Sequence, residues 1–400
     1  MTAASEPRGA RAHLVAGAAR LARLCDGSAV LAPIPRAVLG MGGQAFAARA
    51  RNEAAAGVSA PHPLARMLLE QVQRPLSELP LDAARAAFKQ LTGLLPPGDV
   101  AEPVPFTLTA GGHKVGIRVY GRGRADLPLV CYFHGGAFVL GDLDTSEPEC
   151  GAIASISSAA VVSVGYPRAP EQRFPVPVEV SLEVLRQVLL APERFGIVCA
   201  NRVVLAGESS GANIALNCAL ALRDEPRWAL GGLALVCPMV DLRPTSPSVM
   251  HSGEHLFSQA DLERFVASYL SAHDAADPVA SPLLAEDLTG LPPTIIISAE
   301  LDPLLGQAGH LARRLSDAGV DAHHTTYGRL IHGFLQWRGI LPERLDALDR
   351  IAGLTRRVPA AARPEERQEA LDRPRDEQPV SGDQHARVGA GGPRPPSARG

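Results

Sequence analysis

The chain carries almost no surplus of charge: 39 lysines and arginines stand against 42 aspartates and glutamates, a formal net charge of −3. Lys and Arg gather into no stripe interleaved with aromatics, so the footprint of a nucleic-acid binder is missing and nucleic acid is not an expected partner. The cysteines (Cys25, Cys131, Cys150, Cys199, Cys218 and Cys237) form no C-x-x-C pair and no Cys/His spacing of a metal site. They read as reduced, mostly buried thiols, and no metal is expected. No apolar run approaches the roughly 20 residues of a membrane span, and near the start Arg20 and Arg23 interrupt the apolar positions, unlike a secretory signal. Stable membrane insertion is not expected, and the cytoplasm is the expected compartment.

What is present is a core. Hydrophobic residues make up 46% of 400 positions, enough for an enzyme-sized body. Residues 1–60 hold seven arginines against three acids, with apolar positions of no steady period, and read as a partly helical or disordered extension. From 359 to 400 the chain is rich in proline, glycine and charge and nearly devoid of apolar residues, too little burial to offset the entropy of ordering it; it reads as a disordered tail. Between these ends, strand-like runs at 113–120, 127–133, 159–164, 202–207, 232–238 and 294–298 alternate with helical patterns such as 176–190 and 306–319. Several of the runs are continuously apolar, as strands covered on both faces are. The expectation is an α/β fold, a mostly parallel central sheet flanked by helices, with ligands outside the carboxyl ends of the strands. Residues 63–91 read as two helices ahead of the sheet, and a second stretch without strands spans about 242–291; either could cover the mouth of a site.

In Val203–Leu216, "VVLAGESSGANIAL", two serines stand between glycines. Only Ser209 satisfies G-x-S-x-G, with Gly207 and Gly211 two residues to either side; Ser210 has Ala212 where the second glycine is needed. A strand-to-helix reversal this sharp strains its central residue and crowds its neighbours, so the flanking side chains must be absent. The bland alternative is a plain polar turn. A nucleophilic serine needs a base, and the base an orienting carboxylate. Asp302 follows the strand "TIIIS", and His332 follows the run "DAHHTTY" in the loop "GRLIHGF", so the chain order is Ser, Asp, His. His323 and His324, inside the last strand, are alternative bases, and Glu300 is an alternative acid. Donors for a developing oxyanion would come from the small-residue turn His134-Gly135-Gly136-Ala137 after another strand, and from the Ser210 amide. His134 itself reads as structural.

With "HGGA", "GESSG", "SAELDPL" and "LIHGF" in this order, and with "RAPEQRFP" at 168–175, residues from about 63 to 358 resemble the hormone-sensitive-lipase-like branch of the α/β-hydrolases, the bacterial family IV esterases. The resemblance implies an α/β-hydrolase fold with a small helical cap (61–100) on a catalytic domain (101–358), and no cofactor. It implies a carboxylic ester hydrolase with Ser209 as nucleophile, Asp302 as acid, His332 as base, and Gly135, Gly136 and Ser210 as oxyanion donors. The chain departs from the family pattern at Ala137, at Glu208 and Ser210, at Gly165 and Pro167, where an Asp and an Arg are usual, and at Leu305 after the acid. The expected substrates are short-to-medium acyl esters. A catalytically silent ligand-binding protein on the same fold, or an acyltransferase or amidase using the same triad, are the rival readings. The oligomeric state is not legible; a homodimer is open.

Overall fold

The computed structural model describes residues 75–93, 101–123, 127–198, 203–225, 228, 230–244, 259–271, 274–336 and 341–357. The N-terminal extension, the C-terminal tail and the first of the two helices read within 63–91 lie outside the described residues. Among the described residues eight strands make one sheet: β1 (Val104–Ala110), β2 (His113–Tyr120), β3 (Leu129–Phe133), β4 (Ala160–Gly165), β5 (Val203–Glu208), β6 (Leu230–Val236), β7 (Thr294–Leu301) and β8 (Ala322–Ile331), ordered β1-β2-β4-β3-β5-β6-β7-β8. β1 and β2 pair antiparallel, as do β2 and β4; from β4 to β8 all pairs are parallel. The expected mostly parallel sheet is thus present.

The apolar runs explain why it is covered on both faces. Along β3, Leu129, Cys131 and Phe133 enter one core while Val130 and Tyr132 enter the other; along β5, Leu205 goes to the first and Val204 and Ala206 to the second. Side chains alternate across a strand, so a run apolar at every position needs helices on each side. The first face receives α3 (Val176–Leu190), α4 (Ser210–Arg223) and α6 (Leu305–Asp317), with Val184, Leu216 and Leu311 fully buried. The second receives α2 (Glu147–Ser157) and α7 (Pro342–Arg357), through Ile153, Leu348 and Ile351. In α3 the buried Val178, Ser181, Val184, Leu185 and Val188 fall at three- and four-residue steps, one face of a helix.

The two stretches without strands meet. The turn Leu76–Glu78 ahead of α1 (Leu81–Gly93) is tied to α5 (Gln259–Tyr269): the Ser77 amide donates to Asp261 Oδ1 at 2.8 Å, and Arg264 donates to the Ser77 carbonyl. No helix among the described residues is long and apolar enough to cross a membrane. Cys131, Cys150, Cys218 and Cys237 are buried free thiols; Cys25 and Cys199 lie outside the described residues.

Candidate active site

Five parallel strands end at one edge of the sheet, and the residues just beyond them converge there: His134–Gly136 after β3, Ser209 after β5, Cys237 after β6, Asp302 after β7 and His332 after β8. The turn at Ser209 is as sharp as the glycines suggest. Ser209 sits at φ 55°, ψ −118°, a region a non-glycine residue enters only under strain of about 1–3 kcal/mol. A Cβ on Gly207 would stand 2.3 Å from the Gly211 carbonyl oxygen, and one on Gly211 2.0 Å from that of Phe133. Both distances are far inside van der Waals contact, so the flanking glycines are sterically obligatory. The Ser209 amide is held by the Val236 carbonyl, and its own carbonyl accepts from Met239 N, which locks the strained residue between β6 and α4.

Ser209, His332 and Asp302 form one hydrogen-bonded chain. His332 Nε2 lies 3.1 Å from Ser209 Oγ, and His332 Nδ1 donates to Asp302 Oδ2 at 2.9 Å. The other carboxylate oxygen accepts from the Leu304 amide at 2.7 Å, and all three side chains are buried. Burial works against charge on Asp302, yet the adjacent imidazole and the bonds it accepts hold its carboxyl below the ordinary range. Burial likewise opposes the imidazolium of His332, but Asp302, and behind it Glu208, raise it above the ordinary value. The alternative residues are engaged elsewhere: His323 pairs with Asp321, His324 meets Ser298 Oγ at 2.9 Å, and Glu300 accepts from the Arg329 amide.

The glycine turn lies against this chain of groups. A Cβ on Gly135 would come within 3.5 Å of Ser209 Cβ, and one on Gly136, whose φ is 120°, within 2.2 Å of Gly141 N. Ala137 and Phe138 continue the left-handed course at φ 52° and 64°, so alanine fits the third position without redirecting the backbone. Among the described residues the amides of Gly135, Gly136 and Ser210 find no protein acceptor, and that of Ser210 opens α4, where a helix presents partial positive charge. His134 anchors the turn: Nδ1 donates to the Gly135 carbonyl, the ring stacks on Tyr166, and Tyr166 OH donates to the His134 carbonyl at 2.7 Å. Burial lowers its imidazole to about 4, so it stays neutral, in keeping with a structural role.

Around the altered family positions other side chains hold the backbone. At Gly165 a Cβ would meet the Gly116 carbonyl at 3.0 Å and Leu143 Cγ at 3.1 Å; Leu143 packs where a carboxylate would stand. Nearby, Arg168 donates to the Leu140 and Gly141 carbonyls, and Arg85 of α1 donates to the Val139 and Ala169 carbonyls and pairs with Glu171. In the "DPLLGQ" block, Leu305 begins α6 and Gln307 bridges the loop after β6, accepting from Val240 N and Asp241 N and donating to the Asp241 carbonyl. Sequence reasoning missed Arg85, Arg168 and Gln307, because each acts on backbone distant in sequence. Cys237 Sγ, a ring nitrogen of His332 and a carboxylate oxygen of Asp302 lie within 4.8 Å of one another, but the imidazole and carboxylate already bond each other directly.

A strained serine between glycines at the end of a parallel strand, with a carboxylate and an imidazole from the ends of the last two strands, is the arrangement of an α/β-hydrolase site. The chain belongs to the α/β-hydrolase superfamily, in its hormone-sensitive-lipase-like branch: the family described as alpha/beta hydrolase fold matches residues 130–336. It is 31% identical over 290 residues to an esterase of Acinetobacter venetianus, covering 71% of this chain and 92% of that one. It is 30% identical over 285 residues to an ethyl acetate hydrolase of Pseudomonas putida, covering 68% and 89%. Among solved structures, the hyperthermophilic esterase of the archaeon Pyrobaculum calidifontis superposes with a TM-score of 0.69 at 31% identity, covering 76% of this chain and all of that one.

Proposed function

We propose that the protein is a serine carboxylesterase in which Ser209 is the nucleophile, His332 the general base and Asp302 its orienting acid. The observation that carries this reading is the unbroken chain from Asp302 Oδ2 through His332 to Ser209 Oγ, with links of 2.9 and 3.1 Å. Ser209 Oγ attacks the ester carbonyl as His332 Nε2 takes its proton; the tetrahedral oxyanion is met by the amides of Gly135, Gly136 and Ser210. The imidazolium then protonates the leaving alcohol, and water activated by the same imidazole releases the acid. The esterase names of the relatives support esters over amides. The direct test is release of p-nitrophenol from acetate, butyrate, octanoate and palmitate esters by the purified protein; a folded protein that turns over none of them would refute the assignment.

The base must be neutral to accept the serine proton. Since Asp302 stabilises the imidazolium, kcat/KM should fall as the solution is acidified through a titration lying above the ordinary imidazole value of 6.5. A pH–rate profile flat down to pH 5 would contradict this.

A cavity of about 640 Å³ is walled by the apolar Met239, Leu242, Leu262, Val266, Leu270 and Leu304, with Arg173, Asp241, Arg243 and Glu263 also on its lining. Met239 N bonds the Ser209 carbonyl and Leu304 N bonds Asp302, so two of its wall residues are one hydrogen bond from the triad, which makes it the candidate site for the acyl chain. Its size falls in the usual range for small-molecule sites, which supports short-to-medium acyl esters, with the meeting of α5 and the segment before α1 as cover. Val266→Trp, narrowing the cavity from α5, is expected to lower octanoate turnover about tenfold relative to acetate, the scale of a few methylenes in an apolar pocket; an unchanged chain-length profile would place the acyl chain elsewhere.

A further inference from the structure

The turn at Ser209 holds a second buried carboxylate that the mechanism above does not use. Glu208, the residue before the nucleophile, is 2% exposed. Its Oε2 accepts from Gln336 Nε2 at 3.0 Å, across 128 residues of sequence, and its Oε1 has no hydrogen-bond partner among the described residues. Gln336 closes the same short loop that begins with His332. That loop has a second tie, since Arg344 of α7 donates to the Leu335 carbonyl at 2.7 Å. A buried carboxylate with an unsatisfied oxygen is costly to keep, yet here it joins the loop of the base to the turn of the nucleophile.

Resting on the triad reading, we propose that Glu208 is a positioning residue for His332: through Gln336 it fixes the loop that presents the imidazole, and its buried charge favours the imidazolium formed when Ser209 gives up its proton. The groups facing it are Tyr132 from β3, Cys237 after β6, Asp302 after β7, His332 and Gln336 after β8, and Arg344 from α7. Burial acts most strongly and, with Asp302, holds the Glu208 carboxyl above its ordinary value, while His332, Gln336 and Arg344 favour its charge and limit that rise. Tyr132 and Cys237 stay neutral, because burial holds both well above their ordinary values. Two carboxylates thus act on His332, Asp302 by a direct hydrogen bond and Glu208 through space and through the loop that Gln336 ties down.

The test is Glu208→Gln, whose amide oxygen can still accept from Gln336 but carries no charge. The acid-side inflection of kcat/KM should move down by about one unit, the effect of removing a nearby opposite charge, with kcat reduced about tenfold and KM unchanged. Glu208→Asp, which keeps a carboxylate, should return the inflection to the wild-type position; a merely structural role would give no such split between the two variants. Should Glu208→Gln not fold, Gln336→Leu reads the same link, with kcat lowered about tenfold at unchanged KM. A folded Glu208→Gln whose profile superimposes on the wild type, or a Gln336→Leu of normal kcat, overturns the proposal. Ser209→Ala in the same assay separates the two readings: if it abolishes turnover while Glu208→Gln is silent, only the role of Glu208 fails.

Discussion

Ser209→Ala is expected to lower ester turnover by about 10⁴–10⁶, the range seen when a serine nucleophile is removed from such a triad. The substitution deletes one oxygen and leaves the backbone at φ 55° to a residue of similar size, so the fold and the cavity should persist. What survives would be the contribution of the oxyanion donors and binding, about 10³–10⁴ over water. Ser210→Ala supplies the contrast. The Ser210 side chain lies 3.5 Å from Tyr166 OH, while its proposed contribution is a backbone amide that alanine retains, so turnover should stay within about tenfold of the wild type, below the usual cost of losing one oxyanion donor. Steady-state rates on p-nitrophenyl butyrate would decide the matter; a Ser209→Ala protein with near-normal rates would leave the serine as part of a turn.

Asp302→Asn should cost about 10⁴ in kcat. The carboxylate accepts the Nδ1 proton of His332 and so leaves Nε2 with a free lone pair toward Ser209. An amide in its place can present its NH₂ to Nδ1, which moves the ring proton to Nε2 and removes the base. It also removes the charge that stabilises the imidazolium, so the residual activity should titrate at lower pH than the wild type. Rates measured from pH 5 to 9 check both effects; a loss of less than tenfold with an unmoved inflection would point to another acid.

The parts of this molecule legible in the sequence are those whose causes are local. The continuous apolar runs of β3, β4 and β5 announce a sheet covered on both faces, and the reading of 176–190 as a helix coincides with α3. Gly207 and Gly211 declare the turn at Ser209, because the clash that excludes side chains arises within a few residues and against the neighbouring β3 exit. β1 escaped notice: its alternating, half-exposed residues and Pro105 give a weak signal, and its pairing with β2 makes it a strand. α2 was also missed, since its buried Glu149, Cys150 and Ser157 blur the apolar stripe. Near Gly165 and Pro167, where the family's Asp and Arg are absent, Arg85 and Arg168 tie the backbone from positions whose partners no local pattern reveals. Gln336 is the same case at longer range.

Covalent trapping bears most directly on Ser209 as the nucleophile. Incubation with diethyl p-nitrophenyl phosphate, whose phosphorus a serine oxygen attacks with release of p-nitrophenolate, should add one diethyl phosphoryl group and end ester turnover in parallel. Fragmentation of the tryptic peptide spanning 203–223 should place that group on Ser209. An adduct on Ser210 or outside this peptide, or full inactivation with no adduct, would contradict the assignment.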